Sequence, residues 1–281
     1  MTQAAKLLEN VDLPLPAWPE GAPALRVVHV TDLHVRGRVQ KRHRGLAAEL
    51  RGVACDLACF TGDAMSNPGQ EPSARETLKM LCEALSPRLG WFGVYGNHDS
   101  PELVERCADL PIRWLDNDAV EVDRDGVRVE VTGLHVDRKT RPDAPKLAHA
   151  LGELRLGQAA AGVDRGQTFR LMLAHFPMAL PIARDLGVDL LLAGHTHGGQ
   201  VRLPGGRLLV NSCDMPLDKS TGVLRMGATT AAVSRGLGEV GAPGARVRVL
   251  CPPHCPVYEI GHAQGDDSPG VSATLEQVRA W

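Results

Sequence analysis

The chain has 281 residues, of which 43% are hydrophobic and 23% are charged, and its formal net charge is −2. These values are ordinary for a soluble globular protein, and the net charge argues against a protein devoted as a whole to binding nucleic acid, although local basic patches remain possible. A chain of this length can bury one large core, so we expect a single α/β domain.

The first residues and the cysteines bear on where the protein works. Residues 1–24 contain four prolines and no long apolar segment, so we expect an N-terminal arm outside the core, with neither a signal peptide nor a membrane anchor. The seven cysteines are an odd number and several lie in apolar stretches, which favours reduced thiols over a disulfide framework. Together these features predict a cytoplasmic protein.

The first predicted strand, 25–30, ends just before a carboxylate and an imidazole, Asp32 and His34. Because side chains two apart along a strand share a face, both could contact one ion. Alone, an aspartate after a strand often only caps a helix or forms a turn. The basic run 36–44 follows, and it is either a solvated loop entering a helix or a cationic rim that attracts phosphate groups.

The second strand, predicted at 56–60, is followed by Asp63 and then by a helical pattern over 72–85. A single carboxylate after a glycine is suited to bridging, because its two oxygens can each face a different cation.

The third strand, predicted at 91–95, is followed by Asn97, His98 and Asp99. An Asx turn that caps the next helix would account for the asparagine or the aspartate but not for all three residues. The asparagine is a candidate neutral ligand, and the aspartate could orient the histidine.

The middle of the chain predicts a hairpin and a polar insertion. Strands are expected at 120–122 and 127–131 with a tight turn between them. His135 and Asp137 follow the hairpin and are candidates for the rim of a pocket. Residues 138–168 contain one short predicted helix and are expected to cover or flank the site.

Two further strands supply histidines. His175 follows the strand predicted at 169–174, and His195 and His197 follow the apolar run 188–193. On its own, His-x-His most often marks two loop histidines that bond to backbone or water. Paired imidazoles at a strand end are also a common arrangement for a transition metal.

Short apolar runs predict the remaining strands at 208–210, 231–233, 246–250 and 257–260. These strands close the sheets, so the domain is expected to span 25–260. From residue 261 the chain becomes rich in Gly, Asp and Ser, which is typical of a C-terminal tail (261–281).

Five strand ends therefore carry residue types that bind metals. Such residues would have to occur by chance at five separate places if they had no common role. The donors are oxygen and nitrogen only, which suits Mn²⁺, Fe or Zn²⁺ in a catalytic site with open positions. A structural zinc site needs four ligands, and this set has seven: Asp32, His34, Asp63, Asn97, His175, His195 and His197. Two cations sharing one carboxylate would accommodate them, and two metals about 3.5–4 Å apart clamp the oxygens of a phosphoryl displacement.

In this order the motifs D-x-H, G-D, G-N-H-D, H and G-H-T-H resemble those of the calcineurin-like metallophosphoesterase family, from residue 25 to about 260. Residues 198–200, 233–238 and 251–253 are further similar to its YkuE-like bacterial branch. The resemblance implies a four-layer αββα sandwich, two mixed β-sheets flanked by helices, in one domain with the metal site at the strand ends.

The resemblance also implies a role for each site residue. One metal would be held by Asp32, His34, Asp63 and His197, and the other by Asp63, Asn97, His175 and His195. A hydroxide between the metals would attack phosphorus in line, which predicts a two-metal phosphohydrolase, most simply a phosphodiesterase. His98, paired with Asp99, would hold no metal but would stabilise developing charge or protonate the leaving oxygen.

Arg36, His135 and Arg235 are the candidate contacts to a substrate. One alternative function is a non-catalytic scaffold on the same fold, and another is a hydrolase of nucleotide-lipid pyrophosphate at the membrane surface. The full set of seven ligands plus His98 favours the enzyme. The lack of an anchor and the short, polar stretch 203–226 favour a small soluble phosphoester over a lipid, although the basic run could still touch a bilayer.

Overall fold

The computed structural model describes residues 6–135, 144–160, 168–206, 208, 219–241, 246–263 and 279–280. Buried apolar strands form a first, six-stranded sheet within these ranges. In order across the sheet the strands are β1 (Leu8–Asp12), β12 (Cys255–Ile260), β2 (Leu25–Val30), β3 (Leu57–Thr61), β4 (Gly90–Val94) and β5 (Ile112–Trp114). The strands β2 to β5 run parallel, so the carboxyl ends of β2, β3 and β4 lie at one edge.

The second sheet has seven strands in the described residues. In order they are β13 (Arg279–Ala280), β10 (Gly222–Met226), β11 (Thr229–Val233), β9 (Leu190–Ala193), β8 (Thr168–Ala174), β7 (Val127–Leu134) and β6 (Asp118–Arg124). The strands β7, β8, β9 and β11 are parallel, while β6 and β7 form the predicted antiparallel hairpin.

Successive side chains along a strand point to opposite faces of the sheet, and both faces of the first sheet are buried. Val27 of β2 lies in the core between the sheets, whereas its neighbour Val28 packs under the helices. The helices on that outer face are α1 (Lys41–Leu50), α2 (Glu71–Ala84) and α3 (Pro101–Arg106). The second sheet carries α4 (Ala144–Ala160) and α5 (Leu180–Asp185) on its own outer face. The predicted αββα sandwich is confirmed.

The expectation that residues 1–24 lie outside the core is wrong. Leu8–Asp12 forms β1, which pairs in parallel with β12 at the edge of the first sheet. Trp18 is fully buried between the sheets, where its ring meets Phe169 edge-on at 5.2 Å between centroids. The prolines lie in the connection between β1 and β2, where backbone turns close from Leu15 to Trp18 and from Pro19 to Ala22, so composition concealed a core segment.

Two other predictions at the chain's second half fare differently. The prediction of a strand at 246–250 is wrong, because this segment makes only an isolated bridge between Val249 and Val201. The stretch predicted at 208–210 lies outside the described residues, apart from a bridge at Leu208. Most of 261–281 also lies outside them, but Arg279–Ala280 forms β13 and pairs with β10, so the expectation that the whole stretch is a tail is wrong. Among the described helices, none combines the length and apolar character needed to cross a bilayer.

Replacing Trp18 with alanine is expected to lower the free energy of unfolding by about 3–5 kcal/mol, because it empties a buried site between the sheets. Chemical denaturation monitored by circular dichroism measures the change. Met178→Ala is the control, since Met178 is exposed and its loss should cost less than about 0.5 kcal/mol. If the two substitutions lowered the free energy of unfolding equally, the conclusion that Trp18 belongs to the core would be contradicted.

Candidate metal centre

The predicted ligands converge where the carboxyl ends of strands from the two sheets meet. Three groups of side chains each have ligand atoms within 4.8 Å of one another. The groups are Asp32 with His34 and His197, His34 with Asp63 and His98, and Asp63 with His175 and His195. The residues come from loops after β2, β3, β4, β8 and β9, so positions more than 160 residues apart share one site.

Asp63 joins the groups. Its Oδ2 lies 3.4 Å from His34 Nε2 and 3.2 Å from His175 Nε2. Its other oxygen, Oδ1, accepts the backbone N–H of His98 at 2.9 Å. One carboxylate oxygen thus stands between histidines of two different clusters, which is the position that a bridging ligand requires.

The spacing of the imidazole nitrogens is that of atoms sharing a cation. His34 Nε2 is 3.1 Å from His197 Nε2, and His195 Nδ1 is 3.2 Å from His175 Nε2. Ligands at about 2.0–2.1 Å from a tetrahedral metal are roughly 3.4 Å apart. A proton shared between two nitrogens would also give this spacing, so the spacing supports a metal site together with the other donors and not by itself.

The backbone of the site is strained at most of the candidate ligands. The φ angles of Asp32, His34, Asp63, His195 and His197 are all positive, between 45° and 69°. Non-glycine residues rarely adopt this region, which costs about 1–3 kcal/mol each and persists where function or packing imposes it. The convergence of Asp32 and His34 is therefore due to a left-handed loop after β2 and not, as predicted, to alternation along the strand.

Asn97 supplies an independent sign of a cation site. Its Oδ1 is buried and accepts no hydrogen bond within the described structure. Asn97 follows Gly96, whose own position is fixed by close packing, since a Cβ there would lie 2.1 Å from Asp63 Oδ1. A buried amide oxygen without a donor is costly unless something electropositive faces it, so the residues present fit a metal.

The buried charges respond to one another. Burial alone would lower the pKa of His175, but the carboxylates of Asp63 and Asp32 outweigh it and raise this pKa to about 9. Burial raises the pKa of Asp32, while the histidines outweigh burial at Asp63 and hold its pKa well below the usual range. The Asp63 carboxylate and the His175 imidazole thus favour each other's charged forms.

The expected pairing of His98 with Asp99 is replaced by another arrangement. His98 Nδ1 donates to the carbonyl of Ser66 at 2.8 Å. The Asp99 carboxylate instead accepts backbone N–H groups of Asp63, Ala64 and Gly96 at 2.8–2.9 Å. Asp99 therefore fastens the β3 and β4 loops together, and Ser66 orients the His98 ring.

The three predicted substrate contacts have different surroundings. Arg36 donates to Glu239 at 2.7 Å, and Arg235 donates to Glu9 at 3.0 Å, so both guanidinium groups already face carboxylates. His135 lines a cavity of about 500 Å³ together with Asn97 and Tyr95. Its Nδ1 is buried and has no hydrogen-bond partner in the described structure. Asp137 lies outside the described residues.

Sequence reasoning missed Arg248, which lies in the segment mistaken for a strand. Its guanidinium donates to the carbonyls of His197 at 3.3 Å and Arg235 at 2.7 Å, and it lies 3.5 Å from His197 Nδ1. It thereby ties the His195–His197 loop to the loop after β11. The sequence predicted a strand at 246–250, and nothing in that segment indicates that Arg248 contacts the loop of His197.

An αββα sandwich with aspartate and histidine donors at its meeting strand ends is an arrangement suited to a metal-dependent enzyme. The model of the calcineurin-like phosphoesterases matches residues 25–199, and the chain belongs to this family of phosphoric ester hydrolases, which use a dinuclear divalent metal centre.

Curated relatives agree with this assignment. Two uncharacterized metallophosphoesterases of Bacillus subtilis are similar: YkoQ is 26% identical over 66% of each chain, and YkuE is 24% identical over 86% of this chain and 81% of its own. The phosphodiesterase YaeI of Escherichia coli is 27% identical over 60% of this chain and 57% of its own. The match thus spans just under two thirds of the length of YkoQ and a smaller share of the length of YaeI.

Asp99→Asn is expected to loosen both loops, because an amide presents a donor to backbone N–H groups that now face a carboxylate. We expect a loss of about 2–4 kcal/mol in unfolding free energy and faster amide hydrogen exchange at 62–66 and 96–99. Asp109→Asn is the matched control, as Asp109 is an exposed partner of Arg75. Unchanged exchange at these loops in Asp99→Asn would contradict the fastening role.

Proposed function

We propose that the protein is a two-metal phosphodiesterase whose metals are held by the seven predicted residues, with Asp63 between them. The position of Asp63 Oδ2 between His34 and His175, at 3.4 and 3.2 Å, is the observation that carries the proposal. When bound, the metals supply a water of lowered pKa and clamp the oxygens of an in-line displacement.

His98 is the proposed acid or electrostatic group. The hydrogen bond from Nδ1 to the Ser66 carbonyl at 2.8 Å fixes the tautomer, so Nε2 is the nitrogen that gains or gives a proton. The ring packs edge-on against His34 at 5.0 Å between centroids, which sets its plane beside the cluster. A proton delivered from this position to a leaving oxygen would accelerate turnover by about 10²–10⁴-fold.

The surroundings favour a diester over a monoester. A monoester brings a second negative charge, and two nearby cations, Arg36 and Arg235, are already paired with Glu239 and Glu9. A diester instead brings a second organic substituent, for which the cavity of about 500 Å³ lined by Asn97, Tyr95 and His135 offers space. The similarity to the phosphodiesterase YaeI supports the same choice.

The direct test is hydrolysis of bis-(p-nitrophenyl) phosphate and of p-nitrophenyl phosphate by chelator-treated protein to which Mn²⁺, Fe²⁺ or Zn²⁺ is returned. We expect metal-dependent turnover with the diester preferred. Metal binding without hydrolysis of either ester would support the non-catalytic scaffold instead.

Asp63→Ala is expected to abolish both metal sites, because one residue contributes to each. Metal analysis of the purified variant should show loss of about two equivalents relative to the parent chain, and diester hydrolysis should fall to the uncatalysed rate. Retention of one full equivalent would contradict the bridging position.

His98→Ala is expected to keep the metals and to lower kcat by about 10²–10⁴-fold. His149→Ala is the matched control, since His149 is exposed on α4. His98 also lies within ligand distance of His34 and Asp63, so metal content decides its role: loss of metal along with activity would make it a ligand and not an acid.

A further inference from the structure

The exposed apolar side chains of the protein are concentrated beside the metal centre. Five large hydrophobic residues are exposed in the described structure, and four lie in two short segments. We call these four the apolar rim: Leu203 (39% exposed), Val247 (49%), Val249 (44%) and Leu250 (61%). Single exposed apolar side chains are ordinary, but a concentration of them beside a site is a sign of an interaction surface.

The two segments of the apolar rim are hydrogen-bonded to each other and to the loop of His197. Arg202 donates its N–H to the Val249 carbonyl, and the Val249 N–H donates to the Gln200 carbonyl, both at 2.9 Å. Gln200 follows His197 by three residues, and Arg248 reaches inward to the His197 carbonyl at 3.3 Å. Inward Arg248 and outward Val247 and Val249 therefore alternate, so the rim is held at a fixed place beside a candidate ligand.

Cations border the same surface. The Gln200 side chain is hydrogen-bonded to the backbone of Val240 at 2.6 and 3.0 Å, and the preceding residue, Glu239, is paired with Arg36 and Arg42. This acidic group is thus neutralised from the 36–44 run. The run contains no acidic residue, and three more of its cations are exposed: Arg38, Lys41 and Arg44.

We propose that the apolar rim and the 36–44 run dock on the surface of an anionic lipid bilayer and place the metal centre at the headgroups. This rests on the proposed function and narrows its substrate class to phosphodiesters of membrane lipids. Aliphatic side chains that enter the headgroup boundary and cations that meet anionic lipids are the two attractions that hold peripheral proteins at membranes.

The chemistry of the surface favours a bilayer over the other possible occupants. A two-fold symmetric dimer through this surface would bring the cations of the 36–44 run of one copy against those of the other, and like charges in an interface are repulsive. A fluid lipid surface needs no matching shape, and the apolar rim has small aliphatic side chains without the aromatic anchors typical of protein interfaces.

Vesicle flotation tests the proposal. The metal-loaded protein is mixed with vesicles of phosphatidylcholine alone or with an equal share of phosphatidylglycerol, at 0.1 and 0.5 M NaCl. We expect binding to the anionic vesicles that weakens at the higher salt concentration. Val247→Ser/Leu250→Ser should bind about tenfold or more weakly, and Arg38→Gln/Lys41→Gln about fivefold more weakly per cation lost.

Met178→Ser is the control for the apolar change, because Met178 is the fifth exposed apolar residue and lies outside the rim. It should bind like the parent chain, and an equal loss in this variant would overturn the assignment to the rim. Absence of vesicle binding by the parent chain, or self-association that the Val247→Ser/Leu250→Ser variant abolishes, would also overturn the proposal.

Hydrolysis of bis-(p-nitrophenyl) phosphate separates this inference from the proposed function. The rim substitutions should leave turnover of this water-soluble ester unchanged, while lowering turnover of a lipid phosphodiester presented in anionic vesicles. A parent chain that hydrolyses the soluble ester but neither binds vesicles nor gains from a lipid substrate retains the proposed function and refutes the docking surface.

Discussion

The contact on which the site depends is the sharing of one carboxylate oxygen, Asp63 Oδ2, between His34 and His175. These histidines belong to different sheets, so the contact sets how the strand ends of the two sheets approach. Two buried imidazoles around a carboxylate are a poor arrangement for folding alone, since desolvation offsets much of the attraction. Cations held by these side chains would make the arrangement favourable, and metal binding would then be coupled to the stability of the strand ends.

Backbone strain at five candidate ligands follows from the same constraint. Each loop must turn sharply after its strand to aim a side chain at a common point, and the left-handed region permits such a turn. The surrounding contacts hold the strain in place: Asp99 fastens the β3 and β4 loops, and the N–H of His195 donates to Asp32 at 3.1 Å. Where a loop must touch a ligand, glycine replaces a side chain, as at Gly194, whose Cβ would lie 2.4 Å from Asp32 Oδ2.

Local chemistry explains which features could be predicted from sequence. Apolar strands followed by polar residues are local patterns, so β2 and the polar residues after five strands could be predicted from the sequence. The αββα layers were predicted from the family resemblance. Partners set by tertiary contacts were not readable. Nothing near Asp99 reveals that its oxygens accept N–H groups from another loop, and nothing near Arg235 reveals Glu9. Residues 1–24 were misjudged because β1 needs β12, more than 240 residues away, before its burial is apparent.

The segment 246–250 shows how one misread pattern carries information about function. The segment was predicted to be a strand that helps to close a sheet. The structure has no strand there: Arg248 is inward, where six oxygen or sulfur acceptors surround it, and Val247 and Val249 are outward. Burial of the guanidinium while aliphatic side chains stay in water opposes the ordinary preference of both. An apolar phase outside the protein would remove half of this conflict, and the ties of Arg248 to the His197 loop would place that phase at the metal centre.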